Sequence, residues 1–544
     1  MLTAPIIGRE RWSKLDLIAR TEAGKSAQVM LDPRLTQDYL KPQNPPVFGG
    51  LGANRCEQIS LRLRNDEKPP ARPPQPGGMK MTAEIAILNK SAIALAADSA
   101  VTIGTSDQEE KTYDSADKLF ELCRHNPIGI MVYNGLSFAE APLQSLIKRF
   151  RSECASFDSV KEAAFEFLRY LNNFGAASRD RVKDDAIRRL VTPIIEQISK
   201  RYYDDMQDKL LNAKAEEKLD WVAIARELLD KSISLWERIY SRRKDAEFVG
   251  DGQFVLSERI SQLLSEIASN QALGDEAQKA RILSILKLAL QKDFLSAGYT
   301  GIVIAGFGKK ELFPTLLSFE IDGMVGDRLK FVIKNETDID RDGPRAAIIP
   351  FAQREMVDRF LYGLDDKIER LLTQFSENTV AKVREAIIGK IEFDGDEDKE
   401  NFEKAVKEAE EAFISGLKTG AFAEIKKNSR LEIESLIEFM PKPELAKMAE
   451  ALVNLTSIKK RVSRGMDTVG GPIDVAVISE AEGFVWVKRK HYFPPDLNPR
   501  YFRRVEHAVY QEAINAKSNA GSTRKGRKAP AGKRAPSGGP PGRD

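Results

Sequence analysis

The chain has few of the residues that build metal centres and disulfide frameworks. Among 544 residues there are only three cysteines and three histidines, namely Cys56, Cys123, Cys154, His125, His491 and His507. Their spacing matches neither a thiolate metal site nor a set of paired disulfides. We therefore expect no metal and no other cofactor, little support for a Ser-His-Asp triad, and a reducing, cytoplasmic setting.

An excess of charge of one sign and long apolar runs are also lacking. The 84 basic and 81 acidic residues leave a net charge of only +3, so we do not expect nucleic acid as a partner. No stretch approaches the roughly 18 consecutive apolar residues that would span a bilayer. The first residues also lack the charged start and apolar stretch of a secretion signal. We expect no membrane association.

The two ends of the chain differ in composition from its middle. Residues 1–80 are rich in Pro, Arg and Gly and have little apolar periodicity, which predicts a disordered leader. Residues 516–544 predict a disordered basic tail, whose Lys and Arg side chains are more typical of a solvated end than of phosphate binding. Between them, residues 82–496 predict the folded domain.

Short apolar runs with β-branched residues open this domain. Residues 82–88 and 91–98 are two such runs joined by an Asn-Lys turn, and residues 118–123 and 128–133 repeat the pattern. Both pairs predict hairpins of buried strands. Further strands are predicted at 301–307, 315–321, 329–333, 473–478 and 483–487.

Helical periodicity lies between these groups of strands. It begins at 142–150 and 160–171, continues to about residue 290, and returns across 352–455. Because helices and strands are grouped and do not alternate, a doubly wound parallel sheet is not expected. The order predicts an α+β fold, with two antiparallel sheets and helices on both outer faces, that is, a four-layer α/β/β/α sandwich.

Two stretches, at about 180–295 and 380–460, predict long helical insertions into this domain. Their dense charge is typical of solvent-exposed helices. Three roles remain open for them: capping a sheet edge, forming an oligomer contact, or blocking the stacking of rings.

Three blocks at the start of the domain resemble a known family. They are Thr82, the Leu-Ala-Ala-Asp-Ser segment at 95–99, and the Asp-Lys-Leu-Phe-Glu-Leu segment at 117–122. Together they resemble the opening of catalytic proteasome β-subunits and of the related bacterial ATP-dependent peptidase, which are N-terminal-nucleophile (Ntn) hydrolases. The interval from residue 82 to 98 needs no gap, and the interval to 118 needs a short insertion. Residues 301–322 and 469–475 resemble later parts of the same fold.

The resemblance implies a catalytic role for Thr82, Asp98 and Lys118. Thr82 would be the nucleophile, with its own α-amine as the base that accepts the hydroxyl proton. The ammonium of Lys118 would favour the neutral form of that amine, because like charges repel. Asp98 would hold Lys118 and balance its charge.

The resemblance also implies a substrate cleft, in which this sequence departs from the family pattern. The backbone N–H of an oxyanion hole falls at Tyr133 by direct alignment, or at Gly135 after a shift of one or two residues. Thr102 aligns with a residue that lines the cleft. The family's supporting Ser would fall around Phe351, which cannot replace it.

A second supporting Ser is missing before the glycine pair at residues 470–471. Asp467 or Thr468 would substitute for it after a shift in register. Because neither supporting Ser stands at its expected position, two functions remain open. One is a proteasome-like threonine peptidase or amidase that acts on a peptide or amide substrate. The other is a non-catalytic Ntn-fold ring or scaffold subunit. An unrelated helical interaction module is a more distant alternative, and a homo-oligomer is expected by analogy.

The catalytic interpretation requires a free amine on Thr82. Two routes would supply it: translation that starts at Met81 followed by removal of that Met, or cleavage of a propeptide between Met81 and Thr82. The change in composition at residue 81 favours the first route. The presence of Met81 also counts against the second route, since family propeptides usually carry Gly before the Thr.

Overall fold

The computed structural model describes residues 83–104, 110–212, 219–340, 343–391, 393, 395–462 and 470–504. The predicted leader and basic tail, and the site candidates Thr82, Asp467 and Thr468, lie outside the described residues. The strands are β1 (Ala83–Asn89), β2 (Ala92–Ala97), β3 (Val101–Gly104), β4 (Glu110–Tyr113), β5 (Leu119–Cys123), β6 (Ile128–Asn134), β7 (Ser137–Phe138), β8 (Ala141–Pro142), β9 (Glu247–Phe248), β10 (Thr300–Gly306), β11 (Thr315–Val325), β12 (Arg328–Asp338), β13 (Ala346–Ala352), β14 (Asp474–Ser479) and β15 (Gly483–Lys488).

Helices occupy the stretches between these strands. They are α1 (Leu143–Glu153), α2 (Val160–Ala176), α3 (Asp180–Asn212), α4 (Trp221–Ser241), α5 (Glu258–Gln271), α6 (Glu276–Gln291), α7 (Glu355–Tyr362), α8 (Asp366–Ile388), α9 (Asp396–Gly416), α10 (Ala423–Ile437) and α11 (Lys442–Val462), with a π-helical turn at Leu417–Phe422 and a 3₁₀ turn at Pro495–Leu497. None of the helices formed by the described residues has both the length and the apolar composition that crossing a bilayer requires.

Two antiparallel sheets form the centre of the fold. The first has the strand order β13-β1-β2-β14-β15, and the second has the order β5-β6-β10-β11-β12-β9. The β1–β2 hairpin turns at Asn89, whose side-chain oxygen accepts the backbone N–H groups of Ser91 (2.9 Å) and Ala92 (3.1 Å). An Asn side chain that caps its own turn in this way favours a tight hairpin. The predicted α+β class with antiparallel sheets is confirmed.

Alternation along β1 decides which side chains face the second sheet. Ala86 and Leu88 join a cluster with residues of the second sheet such as Met131 and Val303, so this cluster lies between the two sheets. Ile85 and Ile87 point the other way, because successive side chains of a strand lie on opposite faces. They pack against α11, through residues that include Leu445, Ala449 and Val453. On the other sheet, α1 and α2 cover the face that does not meet β1.

The strand β13 was not predicted from the sequence. It is antiparallel to β1, with Ile85 opposite Pro350 and Glu84 opposite Phe351. A proline lacks the N–H that a ladder needs and therefore counts against a central strand. Here β13 lies at the edge of its sheet, where no strand formed by the described residues pairs with its outer side, and Pro350 is tolerated. The short strands β3, β4, β7, β8 and β9 were also not predicted.

The two predicted helical insertions differ in how much they bury. Helices α3 to α6 share an apolar core of their own, built around residues such as Leu190, Ile233, Leu264 and Leu286. In the second stretch, α8 buries only Thr373 and α9, all of whose residues are described, buries none. Helix α11, at the end of the same stretch, instead covers the first sheet, so it belongs to the body of the domain.

A buried lysine fastens the first helical region to the second sheet. Lys330 of β12 is fully buried, and its Nζ donates to the carbonyl oxygens of Ala289 in α6 (2.9 Å) and Phe294 (2.7 Å). Burial lowers the pKa of Lys330 to about 7, although the carboxylates of Asp322 and Asp293 act to raise it. The neutral amine keeps two N–H donors, one for each carbonyl.

Replacing Lys330 by Met should therefore change how stability depends on pH. The folded pKa lies below the ordinary value of 10.5, so the unfolded state binds more protons between about pH 7 and about pH 10, and stability rises with pH in that range. Across this range the free energy of unfolding of the wild type should rise, relative to that of Lys330→Met, by up to about 1.4 kcal/mol per pH unit. The difference in Tm between the two proteins, measured at several pH values, should change in the same direction. Lys161→Met, at a lysine whose side chain is 54% exposed, controls for the lost charge. A difference that stays constant with pH would contradict this account.

Candidate active site

Three charged side chains meet between the opening strands, and all are removed from solvent. Lys118 immediately precedes β5, Asp98 immediately follows β2, and Glu84 lies within β1; their side chains are 1%, 1% and 0% exposed. The Nζ atom of Lys118 lies 2.5 Å from Oδ1 of Asp98 and 3.1 Å from Oε1 of Glu84. The two predicted site residues Asp98 and Lys118 are thus in direct contact, and a second carboxylate joins them.

Backbone groups on both sides hold Asp98 in this position. Its N–H donates to the carbonyl oxygen of Ala83 (3.1 Å), and its Oδ1 accepts the N–H of Ala83 (3.3 Å). Its Oδ2 accepts the N–H of Gly470 (3.1 Å). The carboxylate therefore links the start of β1 to the segment before β14.

The glycine pair noted in the sequence supplies this last contact. The N–H of Ser99 donates to the carbonyl oxygen of Gly470 (3.2 Å), and the Ser99 hydroxyl donates to that of Pro472 (2.5 Å). Gly471 has a φ of +75°, and a Cβ there would lie 2.8 Å from the carbonyl oxygen of Asp114. A residue with a side chain is thus disfavoured at 471 both by its backbone conformation and by the available space.

The charges of this cluster are coupled through one ammonium group. Burial alone would lower the pKa of Lys118, but the carboxylates of Glu84 and Asp98 outweigh it and raise that pKa. Lys118 is therefore a cation at neutral pH. Burial raises the pKa of Asp98, and the ammonium and the two backbone amides oppose the rise. Both pKa values are thus raised. That of Lys118 rises because two carboxylates stabilise its charge, and that of Asp98 rises because burial outweighs the one cation that it shares with Glu84.

The Tyr133–Gly135 segment lies beside this cluster but is tied into the fold. The Tyr133 ring is buried against Phe351, with ring centroids 5.7 Å apart, and its pKa is raised, first by burial and then by the nearby carboxylate of Glu320. The N–H of Gly135 donates to the carbonyl oxygen of Tyr299 (3.1 Å). That amide is used within the protein in this conformation, and Tyr133 lies within β6, which pairs with β10. Both oxyanion candidates stay predictions.

The structure also places two other positions that the resemblance singles out. Thr102 lies in β3, where its backbone is opposite Thr112 of β4. Phe351, at the position expected for the family's supporting Ser, is opposite Glu84 across the β1–β13 ladder. An aromatic ring thus fills a place where the resemblance implies a hydroxyl group.

Glu84 is the member of the cluster that the sequence analysis missed. A signal for it was present, because Glu84 is the one charged residue in the strand Ala83–Asn89, all of which is buried. A carboxylate removed from water requires a partner of opposite charge or several hydrogen-bond donors. The buried Glu84 therefore predicts a cation close to it, and in the structure that cation is Lys118.

Comparisons with known proteins do not assign the chain to a family. No protein-family model matches it, and no curated protein sequence matches it. Among the residues that the structure describes, no three His, Cys, Asp or Glu side chains are grouped so as to hold a metal ion. The Glu84–Asp98–Lys118 cluster is consequently the feature from which a function can be inferred.

Replacing Lys118 by Met should strongly destabilise the protein at neutral and alkaline pH. Two buried carboxyl groups would lose their cation, and breaking a buried pair in this way usually costs about 3–5 kcal/mol. Without the ammonium both folded-state pKa values should lie above their unfolded values, so the folded state would bind more protons and stability would fall as pH rises. The loss in Tm should therefore be smaller near pH 5 than near pH 8, because the two buried carboxyl groups are more fully protonated at the lower pH.

Adding Glu84→Gln to the Lys118→Met variant removes one of the two carboxylates and should recover part of the lost Tm at the higher pH. Lys161→Met is the matched control, because it breaks an ion pair with Glu336 in which both side chains are about half exposed. Exposed pairs contribute little, so its Tm should hardly move. Equal losses in Tm for Lys118→Met and Lys161→Met would show that the buried cluster has no special role in stability.

Proposed function

We propose that the chain is a proteasome-type threonine hydrolase of the Ntn class, which cleaves peptide or amide bonds with Thr82 as nucleophile. The observation that carries this proposal is the buried ammonium of Lys118, held 2.5 Å from Asp98, whose carboxylate is hydrogen-bonded to Ala83. Ala83 is the residue that follows Thr82 in the sequence.

Covalent geometry limits how far Thr82 can be from this cluster. Thr82 lies outside the described residues, but the peptide bond to Ala83 holds neighbouring Cα atoms ~3.8 Å apart. The N–H of that peptide bond donates to the same Oδ1 atom of Asp98 that contacts Lys118. This connection is the basis for proposing that the amine and the hydroxyl of residue 82 act beside the ammonium.

The chemistry would use the amine as base and the hydroxyl as nucleophile. An N-terminal amine has an ordinary pKa of ~7.7–8.0, and an ammonium close by lowers it further, so that the neutral form is available at neutral pH. The amine takes the hydroxyl proton as Oγ of Thr82 attacks the substrate carbonyl carbon, and returns the proton to the leaving amine. Water, deprotonated by the same amine, then hydrolyses the ester on Oγ.

Within this scheme Asp98 and Glu84 act through Lys118. Their carboxylates raise its pKa, so the ammonium keeps its charge in a site that excludes water. Neither carboxylate is assigned a direct contact with substrate, and both are positioning residues.

The packing of the domain supports the four-layer arrangement that the resemblance implies. Helices α1 and α2 cover the second sheet, the two sheets share an inner cluster, and α7 and α11 cover the first sheet. We take this order as an α/β/β/α Ntn sandwich. By the same resemblance we propose a cytoplasmic homo-oligomer.

A non-catalytic ring or scaffold subunit is the second candidate. Two observations favour it: the Gly135 amide is used within the fold, and Phe351 stands where a supporting hydroxyl is expected. Such a subunit would keep the fold and assemble, but would not react with electrophiles that capture an N-terminal Thr.

The two candidates differ in what happens at residue 82. If the chain is a hydrolase, the intact mass of the protein purified from its native source should correspond to a chain that begins at Thr82. A peptide epoxyketone, which reacts with both the hydroxyl and the amine of an N-terminal Thr, should then label it. Thr82→Ala should abolish labelling, while Thr82→Ser, which keeps a hydroxyl, should retain it.

Equal labelling of the Thr82→Ala variant would refute the assignment of the nucleophile. A native chain that keeps residues upstream of Thr82 and takes up no label, yet forms a defined assembly by light scattering, would favour the scaffold subunit instead.

A further inference from the structure

Two cysteines far apart in the sequence lie side by side in the fold. Cys123 is the last residue of β5 and is fully buried, while Cys154 directly follows α1 and is half-buried. Their Sγ atoms are 3.3 Å apart, and both are free thiols. Their separation of 31 residues gives no sign of this contact, and the spacing of the cysteines in the sequence predicts no disulfide framework.

The segments that carry the two thiols are fastened together independently of the sulfur atoms. Asn126 Oδ1 accepts the N–H of Phe157 (2.8 Å) and the hydroxyl of Ser156 (3.2 Å), and Asn126 Nδ2 donates to the carbonyl oxygen of Phe157 (3.0 Å). These bonds join the turn just after Cys123 to the loop just after Cys154. The two sulfurs are therefore held close by the backbone, and their contact does not depend on side-chain rotation alone.

The surroundings of the pair favour one thiolate and one thiol. The Cys154 S–H donates to Sγ of Cys123, and this hydrogen bond, with help from the backbone N–H groups of His125 and Asn126, lowers the pKa of Cys123 to about 6 against the effect of burial. The same hydrogen bond, and then burial, raise the pKa of Cys154. A thiolate beside a thiol is the combination from which a disulfide forms most readily.

We propose that Cys123 and Cys154 form a redox-active pair, a modification site that closes to an intramolecular disulfide when the protein meets a peroxide. The half-buried Cys154 gives a small oxidant its access to the pair, since Cys123 has no exposed surface.

The chemistry balances with hydrogen peroxide as the oxidant. The proton of Cys154 passes along its hydrogen bond to Cys123, and the sulfur of the half-buried Cys154 attacks a peroxide oxygen. The O–O bond breaks, and the hydroxide that leaves takes a proton to become water, which gives a sulfenic acid on Cys154. The second sulfur attacks the sulfenic sulfur, the S–O bond breaks, the S–S bond forms, and a second water leaves. The two thiols lose two electrons and two protons in total, and a dithiol reverses the step by exchange.

Closing the pair would link the second sheet to α1 by a covalent bond. Strand β5 begins directly after Lys118 and ends at Cys123, so the strand would be anchored at both ends, by the buried charge cluster and by the disulfide. The inference does not depend on whether the chain is a hydrolase.

The test uses the full-length protein, titrated with hydrogen peroxide and then denatured for counting of free thiols. The count should fall from three to one and return to three after treatment with a dithiol, and peptide mapping should find Cys123 joined to Cys154 within one chain. In the Cys56→Ser background the count should fall from two to none. The oxidised protein should also unfold at a Tm several degrees higher than the reduced protein, because the crosslink restricts the unfolded chain.

Cys154→Ser separates the pair from a single reactive thiol. This variant should form no crosslink, and Cys123, which has no exposed surface, should keep its thiol at peroxide concentrations that oxidise the wild type. If the folded wild-type protein kept all three thiols at peroxide concentrations that oxidise the denatured chain, the proposal would be overturned. A crosslink that joins Cys56, or that joins two chains, would overturn it as well.

Discussion

The structure depends on the burial of one ammonium group between two carboxylates. Removing Lys118, Asp98 and Glu84 from water carries a large desolvation penalty, which is offset only when each charge has close partners. Those partners come from β1, from the end of β2, from the start of β5 and from Gly470. The requirement to satisfy one cation therefore fixes how both sheets and the segment before β14 meet.

This cluster also sets limits on the proposed mechanism. The strongest neighbours of Lys118 are carboxylates, which keep it charged and so suit it to act on a nearby amine through its field. They make it a poor proton donor or acceptor itself, because its raised pKa holds the proton. An account in which Lys118 serves as the general base is therefore disfavoured by its surroundings.

Much of the centre of the fold could be predicted, because its signals are local. The β1–β2 and β5–β6 hairpins follow from apolar runs interrupted by turn residues, and their bounds agree with prediction to within one or two residues. Strand β13 was missed because Pro350 counts against a strand until its edge position is known. Glu84 and the contact between Cys123 and Cys154 depend on which distant segments meet, and no local pattern reports that.

The helical regions show the same distinction between local and distant information. Periodicity identified helices in both, but it did not separate α3 to α6, which share a core, from α8 and α9, which bury almost nothing. Periodicity reports one face of a helix, whereas burial depends on what packs there. Apolar side chains on α8 and α9 such as Leu371, Phe375 and Phe413 consequently remain more than half exposed.

The hydrogen bond from the N–H of Ala83 to Asp98 bears on the cleavage that the proposed hydrolase would require. That N–H belongs to the peptide linkage on the carboxyl side of residue 82, so it survives any scission on the amino side. Strand β1 would therefore stay joined to the carboxylate at the end of β2, and the register between these two strands would not have to change.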